Sequence, residues 1–307
     1  MKNLLIATTA LVATAGVAAA DVSLSGAANF GVINNGDTGA DTFMYNNVSV
    51  TAAMSGETDG GLTFGASLSM RSGNDVDLDT GDLNARQTLT DLTVVAKNRA
   101  GKNLSDMSLG NIYVSGDWGK LTFDANGIDN LMDDGFAHDV SYSGTFGALV
   151  VSATANVDGG AQAANGGDFS VKAVYSANGL TATVIADDSS DFDVTGAYAL
   201  NDMVTVSLNY DTDGQSATES ETIAKVAYSN AGVTAHLAFA DDKDDAWELG
   251  LGYAANGMSI AAVFAEDGEG TKTESDITAS YDLGGGMSLN AATNESGAFF
   301  VGSKMTF

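Results

Sequence analysis

Apolar and polar residues alternate one by one along much of this chain, in runs of roughly ten residues broken by short glycine-containing segments. In the stretch from Leu62 to Arg71, the even positions are Leu62, Phe64, Ala66, Leu68 and Met70, and the odd ones are Thr63, Gly65, Ser67, Ser69 and Arg71. Successive side chains of a strand point to opposite faces, so such a segment has one apolar and one polar face. Val204, Val206, Leu208 and Tyr210 repeat the pattern against Thr205, Ser207 and Asn209; Trp247, Leu249, Leu251 and Tyr253 do so against Glu248 and two glycines. The alternation predicts an all-β chain. It leaves open whether the apolar faces meet a core, as in a sandwich, or lipid.

The aromatic residues separate those cases. Tyr142, Tyr175, Tyr198, Tyr228, Tyr253 and Tyr281 each lie just before a turn segment, and from Tyr175 onward their spacings are 23, 30, 25 and 28 residues. That is the length of one hairpin, so the tyrosines should ring one end of a barrel as an interfacial girdle. Phe192, Tyr210, Phe239, Trp247 and Phe264 sit at the opposite strand ends as a second girdle. Short turns near 55–61, 116–119, 143–147, 176–179, 200–202, 229–232, 254–257 and 282–286 alternate with longer polar loops. Eight such turns imply eighteen strands, and one misassigned turn would reduce the count to sixteen, because a closed barrel with both ends inside needs an even number. Either size encloses water rather than a packed interior.

The two ends of the chain agree with export to a membrane. Residues 1–20 begin Met1-Lys2-Asn3, run apolar and small from Leu4 to Val17 and end in Ala18-Ala19-Ala20, the pattern of a cleaved secretory signal, so the mature domain is expected to be 21–307. After Asp21 no run of eighteen apolar residues occurs, which excludes helical spans. The last nine residues, Phe299 to Phe307, alternate and end in phenylalanine. This resembles the signal that outer-membrane proteins present to the barrel-assembly machinery, with Phe307 as its terminal residue.

Composition narrows the chemistry. With no cysteine, the chain has no disulfide framework and no thiolate nucleophile or ligand. With no proline, no strand loses a ladder donor. Without Lys2 there remain 11 basic against 40 acidic residues, which argues against nucleic acid and in favour of cations.

Three stretches, Met54 to Ser67, Gly116 to Phe123 and Ala279 to Ser288, together resemble the general porins of alphaproteobacteria, the Rhodobacter-type family. The resemblance implies a sixteen-stranded transmembrane barrel in the outer membrane, assembled as a homotrimer in lipid and lipopolysaccharide, with a third loop folded inward after the strand ending near Phe123. That loop would run from Asn126 to His138 and carry Asp129, Asp133 and Asp134 into the constriction, with Asp139 at its exit. In the family an acidic loop faces a basic wall, and here Tyr45-Asn46-Asn47 stands where relatives tend to carry arginines.

Parity supplies an independent estimate of the lumen. Arg71, Lys120, Lys172, Lys225, His236 and Lys304 fall on the polar parity of their strands and should point inward. Between Ser72 and Ser108 lies a long acidic connection, whose segment from Leu89 to Val95 could dock on a neighbouring subunit. Its Asp75, Asp77 and Asp79 leave a calcium site open beside the plainer reading of a solvated loop, because the spacing fails the EF-hand pattern. No cofactor is required. A barrel-embedded hydrolase would need a base beside a nucleophile, and the histidines are His138 and His236 alone. The expected function is a water-filled channel for passive diffusion of small hydrophilic solutes and ions, mildly cation-selective, with a substrate-specific channel as the alternative.

Overall fold

The computed structural model describes residues 21–34, 42–73, 106–132, 137–157, 169–188, 190–212, 220–241, 246–266 and 273–307. The signal segment 1–20 and the aspartates at 75, 77 and 79 lie outside them, as do Asp133 and Asp134 and the docking segment 89–95.

Eighteen strands follow one another: β1 (Asp21–Asn34), β2 (Phe43–Glu57), β3 (Thr63–Gly73), β4 (Asp106–Gly116), β5 (Gly119–Asp129), β6 (Ala137–Phe146), β7 (Leu149–Ala155), β8 (Phe169–Ala177) and β9 (Leu180–Asp187) form the first half. The second half is β10 (Phe192–Ala199), β11 (Val204–Asp211), β12 (Glu221–Asn230), β13 (Val233–Asp241), β14 (Ala246–Ala255), β15 (Met258–Glu266), β16 (Thr273–Gly284), β17 (Met287–Asn294) and β18 (Phe299–Thr306). Each pairs antiparallel with its sequence neighbours, and β18 closes on β1 with Ala27 opposite Thr306 and Asn34 opposite Phe299. Phe307 completes the seam through two backbone bonds to Gly26. The count is the one given by the turns and two more than the resemblance implied. Closure leaves no sheet edge within the paired region, as lipid requires of a spanning sheet.

The turns explain the hairpins. Asn178-Gly179, Ala231-Gly232 and Asn256-Gly257 all have positive φ at both residues, the I′ geometry whose twist matches the flanking strands. The outer face is apolar as the alternation predicts: Tyr175, Tyr198, Tyr228, Tyr253 and Tyr281 are 37–48% exposed and line up near the turn end. Tyr142 joins them but is held closer, its hydroxyl donating to the Trp118 carbonyl at 2.6 Å and its ring stacked on the Trp118 indole. Phe192, Tyr210, Phe239, Trp247 and Phe264 share the same outward parity near the loop end. Tyr198 lies six residues from Phe192, roughly 20 Å along a strand and short of a ~25 Å apolar band. Leu200, Met203 and Leu283, exposed at or beyond the tyrosine ring, extend that band.

Candidate functional site

Eighteen strands spaced about 4.8 Å apart and tilted about 40° make a Cα barrel roughly 35 Å across. A barrel of that size leaves a wide aqueous lumen even after its inward side chains are allowed for, so whatever selects among small solutes must lie inside it. The inner face is polar by register. Arg71 lies opposite Ser49 and Asp106, Lys120 opposite Ser115 and Ser143, Lys172 opposite Ser152 and Ile185, Lys225 opposite Ser207 and Ala238, and Lys304 opposite Asn29 and Ser288. All five share the parity opposite the exposed apolar residues. They stand on five strands spread around the wall and form no single basic cluster. The Lys120 ammonium sits 4.4 Å from the centroid of the Tyr113 ring, a cation–π contact. Asn47 is buried and accepts a bond from Asn29 Nδ2 at 2.9 Å, a neutral pair bridging β1 and β2.

The wall is interrupted where the inward loop was expected. Along β5 and β6 the ladder is regular from Lys120↔Ser143 to Phe123↔Val140, then shifts to Ile128↔His138. Five steps on one strand therefore oppose two on the other, and residues 124–127 are extruded. Tyr142 faces outward, so strict alternation would carry Val140 and His138 outward as well. Instead His138 Nδ1 lies 2.8 Å from Thr154 Oγ1, and Thr154 belongs to the inward set of β7 with Ser152. The chain before Val140 has thus left the wall for the inside. Beyond β5, Leu131 N–H donates to Ser170 Oγ at 3.0 Å, and Ser170 lies on the inner face of β8, two strands past β6. Asn130, buried, accepts Met132 N–H with its side-chain oxygen and shapes the turn locally.

The expected acidic set divides. Asp129 is exposed at the end of β5. Asp139 departs from the expectation of a constriction charge: it is 7% exposed, and its Oδ2 accepts Val157 N–H at 3.1 Å, so its carboxylate braces the end of β7 and is withheld from the water column.

Other inward acids escaped notice. Asp193, Asp211 and Glu221 stand side by side in register across β10, β11 and β12, with Asn209 Nδ2 donating to Asp193 at 2.8 Å. Glu248, fully buried, meets His236 Nε2 at 2.5 Å, and the imidazole lies over Gly250, where any Cβ would collide with it. Parity alone could have found these residues, since each occupies the polar face of its strand. Among the described residues no group of three or more histidines, aspartates and glutamates is arranged to hold a metal ion.

A family model described as Gram-negative porin matches residues 7–297. Comparison with curated proteins finds no match. Among solved structures, one mutant of the Rhodopseudomonas blastica porin superposes with a TM-score of 0.57 at 19% identity over 94% of this chain and 100% of that one. A triple mutant of the same porin gives 0.56 at 18% identity over the same shares. At such identities the likeness concerns the fold, and the family match covers the sequence.

Proposed function

Because this chain belongs to the Gram-negative porin family, an outer-membrane channel family and not one of enzymes, we propose that it passes small hydrophilic solutes and ions passively through the lumen of its barrel, with a mild preference for cations. The observation that carries this reading is the inner face: a Cα barrel roughly 35 Å across by strand number, lined inside by polar residues on every strand pair and narrowed by the turn after β5. Passive transport needs no binding cluster, and the girdle tyrosines face outward, with Tyr113 turned inward beneath Lys120 as a single tyrosine ring among the described side chains rather than a track. Solute size is set by the inward turn. Charge preference follows from the excess of acidic over basic residues, with Asp129, Asp193 and Asp211 as the groups best placed to act. In this reading residues 1–20 are removed on export, and Phe307 is presented to the assembly machinery.

The same reading includes a homotrimer in lipid and lipopolysaccharide. From β17 through β18 and β1 to β4, no tyrosine or tryptophan among the described side chains faces outward. Met44, Met54, Met70, Met107, Met287 and Met305 share the outward parity there with Val48, Val50 and Leu109. Headgroup-seeking side chains are absent where a neighbouring barrel would exclude headgroups, and methionine packs adaptably against such a surface.

The test is reconstitution of the purified protein in planar bilayers and in liposomes. Stepwise ohmic conductance, with swelling rates that fall smoothly as sugars grow larger, supports diffusion. Saturable uptake of one sugar, or no conductance, would refute it.

A further inference from the structure

Resting on the reading of this chain as a channel, we propose that Ser170, backed by Thr154 and His138, is the positioning residue that holds the inward turn against the wall and thereby sets the solute cut-off of the pore. The ladder does not tie this turn to the wall, because after Phe123↔Val140 it resumes only between the turn's own limbs, at Ile128↔His138 and Asp129↔Ala137. What reaches the wall instead is the Leu131 backbone N–H, and it meets Ser170 Oγ at 3.0 Å.

Behind that contact the hydroxyls continue as a row. Ser170 Oγ is 2.8 Å from Thr154 Oγ1, and Thr154 Oγ1 is 2.8 Å from His138 Nδ1. The three side chains are 0%, 4% and 1% exposed. Burying polar groups is costly unless they are hydrogen-bonded; both hydroxyls and His138 Nδ1 are bonded within the row, while His138 Nε2 is buried without a hydrogen-bond partner. Other buried positions of the inner wall are filled by apolar side chains, Ala238, Ala240, Ala246 and Ala265 together with Ile223 and Phe300. A serine, a threonine and a histidine in line are explained by the backbone donor at the end of the line.

The first link has a fixed direction: Leu131 N–H donates and Ser170 Oγ accepts. In the next two, Ser170 with Thr154 and Thr154 with His138 Nδ1, either partner can supply the proton. His138 closes the circuit, because it stands on the returning limb of the same hairpin and ties that limb to β7 as Ser170 ties the outgoing limb to β8. Removing one such bond shifts the docked-to-free ratio of the turn about fivefold.

The experiment compares the full-length protein with Ser170→Ala and Ser170→Thr in bilayers and in liposome swelling with sugars graded in size, alongside the thermal midpoint of the barrel. Ser170→Ala should admit larger sugars and raise open-channel current noise severalfold at an unchanged midpoint, and Ser170→Thr, which keeps the hydroxyl, should restore the parental cut-off. An unchanged cut-off and noise in Ser170→Ala would overturn the proposal while leaving the channel intact; absence of conductance in the parent would instead overturn the channel reading. Should Ser170→Ala fail to assemble, the volume-matched Thr154→Val is read in its place: a raised cut-off supports the anchor and a parental one overturns it.

Discussion

Ala231 stands where its two counterparts carry asparagine. Its φ of 49° matches those of Asn178 at 52° and Asn256 at 53°, each followed by a glycine with φ near 80°. An alanine in the left-handed region is strained by roughly 1–2 kcal/mol, and asparagine tolerates that region through local hydrogen bonding. Ala231→Asn should therefore stabilise the barrel by about 0.5–1 kcal/mol, seen as a raised urea midpoint in refolding into detergent or lipid. A lowered midpoint would contradict this reading of the turn. Gly250 presents the opposite case, because the His236 ring occupies the space of a Cβ there. Gly250→Ala should displace the imidazole from Glu248 and leave a buried carboxylate without it, costing about 2–3 kcal/mol, a loss that the same titration would record as a lower midpoint. At this scale the sequence was legible where a residue obeys the alternation, as Lys120, Lys172, Lys225 and Lys304 do. It was not legible at Asp139, whose burial depends on a backbone N–H at Val157, eighteen positions away.

Among the elements, period two did most of the work, because a strand wet on one face and apolar on the other cannot slip by one residue without inverting both faces. All eight short turns fall where glycine and asparagine interrupt the alternation. The hairpin of β5 and β6 is the exception. Residues 124–127 are extruded, so parity counted from Tyr142 would place His138 outside, and the tertiary contacts that bring it inside leave no periodic trace. The resemblance placed an inward loop there, but no pattern pointed to its anchors at Thr154 and Ser170. The outward arc from β17 to β4 supports an element-scale prediction. Met70 and Met107 are register partners on it, and a double change to lysine should convert trimers to monomers on sizing in mild detergent, with β-sheet circular dichroism retained. Trimers that persist would remove this arc from the interface.

For the whole molecule, the formal net charge of −28 must be weighed by where it acts. Acids in external turns are screened beyond about 10 Å at 0.1 M salt, whereas acids on the inward parity, such as Asp193 and Asp211, would act on ions at close range. Against them stand Arg71, Lys120, Lys172, Lys225 and Lys304, dispersed over five strands, so the opposed rows that would cancel a cation preference are not assembled. Asp193→Asn with Asp211→Asn should weaken the preference without changing the sugar cut-off, because size and charge are set by different parts of the wall. Swelling and ion-replacement currents on one preparation would separate the two.

The most direct test is the zero-current potential of the reconstituted channel across a tenfold KCl gradient at low ionic strength. A potential positive on the dilute side, diminishing as salt is raised, is the expected result for an open, water-filled barrel whose lining carboxylates outweigh its dispersed lysines. A potential of the opposite sign would contradict it.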